Sequence, residues 1–151
     1  MIDSSFDPWK NINEFYATEF AGKSGELKQW PVKLRNAPVV SPYYHHAHLL
    51  IAADCSAFIF PEFHEAYACG KVTLSCCMET DDQIEEKLEN IILCNDIVSI
   101  TVLKAAKDCC NGLGQAVIKA ANKSKLPIPV KVSSVFVLAE DVNTNEDTGE
   151  N

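Results

Sequence analysis

Three short apolar runs, Leu49-Leu50-Ile51-Ala52-Ala53, Val72-Thr73-Leu74-Ser75-Cys76 and Ile97-Val98-Ser99-Ile100-Thr101-Val102-Leu103, alternate with stretches of helical pattern. Near-continuous apolar strands of this length suit a sheet buried on both faces, and a helix between consecutive strands is the connection that parallel pairing requires. From His48 onward the expectation is therefore a series of βαβ units around a largely parallel sheet. The fold class that follows is α/β: a three-layer Rossmann-like arrangement with about four strands, helices on both faces and an N-terminal helical arm.

The intervening segments set the helices. Phe60 to Gly70 has Pro61 near its start and glycine at its end, which predicts about two helical turns. Thr80-Asp81-Asp82-Gln83 reads as a capping box, followed by Ile84, Leu88, Ile91 and Ile92 on one stripe. A third helix is expected from near Asp108 to about Lys123, with Leu113, Ala116, Val117, Ala120 and Ala121 facing the sheet. Pro127 and Pro129 end it, and Val130 to Leu138 supplies a last strand. Asn111-Gly112-Leu113-Gly114 resembles a phosphate loop only superficially, because it lacks a lysine and a third glycine.

Outside this core, Asp7, Pro8 and the spaced apolar residues Trp9, Ile12, Phe15, Tyr16 and Phe20 predict a short amphipathic helix. Ser24-Gly25 then reads as a joint, and Trp30-Pro31 to Pro42 as extended chain. Residues 1–28 are read as helix and linker, 29–139 as the α/β domain, and 140–151 as a disordered tail with five acids and no base. The 151 residues suffice for one core, 47% apolar content is ordinary for a globular protein, and no run reaches the length of a membrane helix. The first residues lack the pattern of a signal peptide, so a cytoplasmic protein is expected. A formal charge of −8 argues against nucleic-acid binding.

Seven cysteines cannot all pair within one chain, and in a reducing compartment thiols serve as metal ligands, catalytic groups or small buried hydrophobes. Cys69, Cys94 and Cys76 fit the last role: two lie near helix ends, and Cys76 alternates away from Cys77. Cys55, Cys77, Cys109 and Cys110 instead follow the three strands at their junctions with the next helix. In a parallel sheet those junctions meet at one edge, where ligands bind. A helix N-terminus beside Cys109 and Cys110 would favour thiolate. Four thiolates suit a Cys₄ zinc site or a 4Fe-4S cluster, and three leave an open position. Adjacent cysteines diverge, so a three-cysteine site stays open.

His64 is either a further ligand at that edge or a surface histidine paired with a carboxylate. Asp54 either orients a ligand or caps the turn after the first strand. His45, His46 and His48 cluster at the opposite end of that strand and are expected to face solvent.

Ala52-Ala53-Asp54-Cys55-Ser56-Ala57-Phe58, Phe63-His64, Cys77 with Asp81-Asp82, Asn95-Asp96-Ile97-Val98-Ser99-Ile100-Thr101-Val102, and Cys109-Cys110 with Gly112-Leu113 form an ordered set. With Gln29-Trp30-Pro31-Val32-Lys33-Leu34 at its start, this set resembles the C-terminal region of the iron-sulfur-cluster-binding, 4Fe-4S ferredoxin-like proteins of anaerobic microbes. The resemblance extends to about Ile128. It implies an electron-transfer role and places Cys55, Cys77, Cys109 and Cys110 at the family's cysteine positions. The chain departs from the pattern in lacking the upstream cysteine-rich ferredoxin motifs. The family's Gly-Cys-Pro-Lys turn is Cys76-Cys77-Met78-Glu79 here, and Asp108 replaces the proline before the paired cysteines.

Three functions follow as expectations. The first is a metal or iron-sulfur domain that assists a redox partner. The second is thiol redox or sulfur-transfer chemistry at Cys109 or Cys110. The third is a cofactor-free interaction domain.

Overall fold

The structure, a computed structural model, describes residues 25–142. The expected N-terminal helix and the tail beyond Val142 lie outside the described residues. Four strands form one sheet: β1 (Ala47–Ala53), β2 (Val72–Cys76), β3 (Ile97–Ala105) and β4 (Val130–Val135). They pair in parallel throughout, in the order β2-β1-β3-β4. Three helices accompany them: α1 (Ser56–Ile59), α2 (Ile84–Cys94) and α3 (Leu113–Ser124). The expected parallel, three-layer α/β architecture is what the chain adopts.

The apolar runs are buried on both faces, as parallel strands require. Leu49 and Ile51 of β1, Leu74 of β2 and Val102 of β3 face α2 and α3, whose stripes Ile84, Leu88, Ile91, Ile92 and Leu113, Val117, Ala120 complete the larger core. Each such Leu or Ile contributes roughly 1.5–3 kcal/mol on burial. A register shift where β3 passes Ala47/His48 of β1 places both Ile97 and Ile100 on this face. The opposite face is smaller: Leu50, Ala52 and Leu103 pack beneath Phe63 and Ala68.

The helical boundaries depart from the sequence pattern in instructive ways. Phe60 to Gly70 does not form one regular helix; only Phe63–Ala68 is helical, and it is a π-helical turn. The residues Asp108–Cys110 form a separate 3-10 turn, and α3 begins at Leu113. The Thr80–Gln83 capping box does not form. α2 begins only at Ile84, and Gln83 precedes it in left-handed conformation without a side-chain cap. The last strand stops at Val135, and Phe136 and Leu138 beyond it are exposed.

The extended segment before β1 is part of the fold. Ser75 N–H donates to Val32 O and Leu34 N–H to Ser75 O, so the segment adds to the free edge of β2. Leu34, Ala37 and Tyr44 enter the larger core.

Candidate functional site

The connection after β1 leads to β2 on one side, whereas β3 leads to β4 on the other. The carboxyl ends of β1 and β3 therefore flank the point where the winding reverses, the usual place for a ligand crevice in an open parallel sheet. A crevice of about 260 Å³ is found there, lined by Cys55 from the β1 end and by Ala105, Lys107, Cys109 and Cys110 from the β3 end. Topology thus brings residues more than fifty positions apart to one opening.

Cys55 occupies the position before α1, and its carbonyl accepts from Phe58 N–H at 3.0 Å. Cys109 and Cys110 sit on the 3-10 turn, with Cys110 N–H donating to Lys107 O at 3.0 Å. Cys77 follows β2 at the neighbouring junction, and the next residue, Met78, reaches Gly112 just beyond the paired cysteines: a Cβ on Gly112 would stand 3.0 Å from Met78 Cε. Three of the four sequence-selected thiols share one crevice, and the fourth lies on the loop beside it.

The Cys109 thiol is not activated in the way the sequence suggests. The Cys109 thiol is pushed up from its ordinary value by desolvation, then by the neighbouring Cys110 thiol, with a smaller contribution from Cys77. Cys109 stands four residues before α3, on a separate 3-10 turn, outside the first turn in which a helix terminus acts.

All seven cysteines are free. Cys76 is buried, as expected, and its thiol is pushed up to about 12 by burial and then by the charges of Asp54 and Asp81. Cys69 and Cys94 are exposed, against expectation. Cys94 lies two residues beyond buried Ile92, about half a turn around α2. Cys69 ends the π-helical turn.

His64 does not join the cysteines. Its Nδ1 accepts Glu26 N–H at 3.1 Å, and its ring lines a second cavity, which shares no lining residue with the cysteine crevice. Asp54 lines that cavity too, and neither caps the turn nor meets the thiols: its Oδ2 accepts from Lys33 Nζ at 2.6 Å. The turn after β1 is closed instead by Ser56 Oγ donating to Ala53 O at 2.7 Å. His45, His46 and His48 are exposed at the amino end of β1, as expected. His46 Nδ1 lies 3.1 Å from Asp96 Oδ2 and His48 Nδ1 2.6 Å from Ser99 Oγ.

Two contributors escaped the sequence reading. Lys107 lines the crevice and pairs with Asp141 at 3.3 Å, which brings the beginning of the acidic tail, Glu140 and Asp141, to the crevice rim. Lys33 holds both Asp54 and Asp81. Lys33 stands in the Trp30-to-Leu34 motif, so a signal for it was present, without an indication of its acidic partners.

Gly112 and Gly114 make no phosphate cradle. Gly112 meets Met78, and a Cβ on Gly114 would stand 3.2 Å from Val132 Cγ1, so the room left by each glycine is taken by a neighbouring side chain.

Thiolates are the ligands that thiophilic metals and clusters take, and Cys55, Cys109 and Cys110 line one crevice. It is not a closed coordination shell as it stands: among the described residues, no group of three or more His, Cys, Asp or Glu side chains is placed to hold a metal ion.

A model of the Rossmann-like domain matches residues 41–148. The chain belongs to this Rossmann-like domain family. Its parallel four-stranded sheet with helices on both faces is in keeping with a Rossmann-like fold. An uncharacterized protein of Archaeoglobus fulgidus is 28% identical over 96 residues, which span 63% of this chain and 68% of that protein. No solved structure matches. Among the described residues of this Rossmann-like chain, no helix is long and apolar enough to cross a membrane.

Proposed function

We propose that the crevice between the carboxyl ends of β1 and β3 is a cysteine site for an iron-sulfur cluster, and that the domain assists electron transfer with a redox partner protein. The observation that carries this reading is the lining of a single crevice by Cys55, Cys109 and Cys110, with Cys77 on the adjoining loop. The ordered motif resemblance to iron-sulfur, ferredoxin-like proteins supports the same four residues. Seven free thiols are also in keeping with a reducing cytoplasm.

Cys55, Cys109 and Cys110 would hold the group from two sides of the sheet's reversal point, with Cys77 on the adjoining loop as the nearest further thiolate. A bound cluster would supply one-electron chemistry. The protein's part is to fix the thiolates on strand ends, to keep them close to a partly apolar wall of Ile59, Ala105 and Val137, and to set the charge nearby through Lys107. A raised Cys109 thiol favours ligation over nucleophilic catalysis, because metal binding itself displaces the proton whereas a nucleophile needs free thiolate.

The test is anaerobic purification and reconstitution, with iron and sulfide analysis, visible absorption and alkylation mapping. The expected outcome is a coloured, iron-loaded protein in which Cys55, Cys77, Cys109 and Cys110 are shielded from alkylation while Cys69 and Cys94 still react. Loss of iron on Cys109→Ala or Cys55→Ala completes the assignment. A colourless protein without iron after reconstitution overturns it, and zinc in place of iron would make the site structural rather than redox-active.

A further inference from the structure

The second cavity, of about 220 Å³, shares no lining residue with the cysteine crevice and is bordered by the end of β1, the start of α1, β2, the π-helical turn and the segment that precedes β1. We propose that it binds a small, mainly apolar molecule that carries a hydrogen-bond donor, either a neutral hydroxyl or an organic ammonium group. Its walls are Leu27, Val32, Ala52, Ala53, Ala57 and Phe63. These supply an apolar lining of the kind that small-molecule sites share.

Two unmatched polar atoms set the ligand's chemistry. Among the described residues, three buried side-chain oxygen or nitrogen atoms lack a hydrogen-bond partner, and two of them, Thr73 Oγ1 and Asp54 Oδ1, belong to residues that line this cavity. Thr73 is only 3% exposed. Unpaired buried polar groups are uncommon because they forgo their hydration without replacement, so two beside one cavity point to a missing partner.

An ionised carboxylate only accepts, and a hydroxyl both donates and accepts, so a group able to satisfy both oxygens must donate. Anions are disfavoured. The nearest cation, Lys33, is occupied by Asp54 and Asp81 at 2.6 and 2.8 Å, and neither Lys nor Arg lines the cavity. Its chemistry therefore differs from the phosphate-binding crevice typical of parallel sheets, and it involves none of the cysteines.

The enclosing backbone is built for close approach. Gly25 rests against His64 so tightly that a Cβ there would overlap the ring, and Glu26 N–H donates to Nδ1 at 3.1 Å. His64 and Phe63 belong to the π-helical turn, a geometry that recurs at functional sites.

The test titrates the full chain with four probes of one shape: benzyl alcohol, benzylamine, benzoate and toluene. Binding is followed by NMR shifts of the Ala52, Ala57 and Thr73 methyl groups and by calorimetry. The two donors are expected to shift these methyls, with benzoate and toluene at least about tenfold weaker. Thr73→Val, which keeps the volume and removes the hydroxyl, should weaken donor binding about tenfold without lowering the melting temperature. Ala57→Leu should fill the cavity and abolish binding, and it serves as the second variant if Thr73→Val folds poorly. Shifts outside the cavity, equal binding of benzoate, or unchanged binding in both variants would overturn the proposal. So would an absence of binding by every probe, which would leave the cavity to water alone.

Discussion

Lys33 Nζ lies 2.8 Å from Asp81 Oδ2, the same oxygen that accepts Cys77 N–H at 2.8 Å. The segment leading into the sheet and the loop after β2 are thus joined through one carboxylate oxygen, across 48 positions of sequence. Arg35 Nη1 adds a more distant charge, 3.7 Å from Oδ1. Engaged in this way, Asp81 holds the cysteine-bearing loop against the sheet edge.

Asp81→Asn is expected to cost about 2–3 kcal/mol at neutral pH, because it removes the charge from a carboxylate whose side chain is only 3% exposed and leaves Lys33 with Asp54 alone. Burial works to raise the Asp81 carboxyl, but the hydrogen bonds from Lys33 and Cys77 N–H and the charges of Lys33 and Arg35 outweigh it and hold it below the ordinary value of 3.8. A depressed carboxyl stabilises the fold above its unfolded value, and that contribution is lost as pH falls through the folded one. Urea unfolding at pH 7, 5 and 3 should therefore show a steeper acid loss in the wild type than in Asp81→Asn. Parallel acid limbs would rule out this role.

Cys76 should resist alkylation in the native protein while Cys69 and Cys94 react. It is fully buried, and a thiol pushed up to about 12 from 9.0 carries on the order of 10³-fold less thiolate near neutral pH. Mass mapping after brief iodoacetamide treatment at pH 8 reads the difference directly. Modification of Cys76 at the rate of Cys94 would contradict its placement between β2 and the larger core.

The paired cysteines make a prediction of their own. Cys110 raises the Cys109 thiol through its charge and its hydrogen bond, acting after desolvation. Cys110→Ala should consequently move the midpoint of Cys109 alkylation to lower pH and speed its reaction at pH 8. An unchanged profile would mean that the two thiols do not interact.

The parallel sheet was legible because Leu49 to Ala53 is apolar without interruption and Val72 to Cys76 is broken only by the short side chains of Thr73 and Ser75, a pattern imposed by burial on both faces. The stripe Ile84, Leu88, Ile91 and Ile92 was legible for a similar reason: its period is local to α2. Cys55, Cys109 and Cys110 could be grouped from topology alone, since parallel strands of consecutive units end on one side. The behaviour of Asp81 was not legible, because its competing partners Lys33 and Cys77 N–H are set by tertiary structure. Nor was the fate of His64, which depends on the return of Gly25 and Glu26 across the second face of the sheet. A regular helix over Phe60 to Gly70 fails for a backbone reason: the turn that buries Phe63 and Ala68 over Leu50 and Leu103 is wider than the α-helical period assumes.

Gly114 offers a test of whether the glycines before and within α3 serve packing or a ligand. A Cβ at this position would meet Val132 Cγ1 at 3.2 Å and Cγ2 at 3.3 Å, closer than ordinary contact. Gly114→Ala sets that crowding against a helix-propensity gain of about 1 kcal/mol, so its net effect on stability should be small. Gly114→Leu has no such balance, since its side chain must displace Val132 and separate α3 from β4, at a cost of about 1–3 kcal/mol or more. Thermal unfolding of the two variants checks the contrast, and inorganic phosphate should raise the melting temperature of neither variant nor of the wild type. Phosphate stabilisation lost in Gly114→Ala would instead make the Asn111-to-Gly114 turn an anion site, against the packing that places Val132 where a phosphate would need to approach.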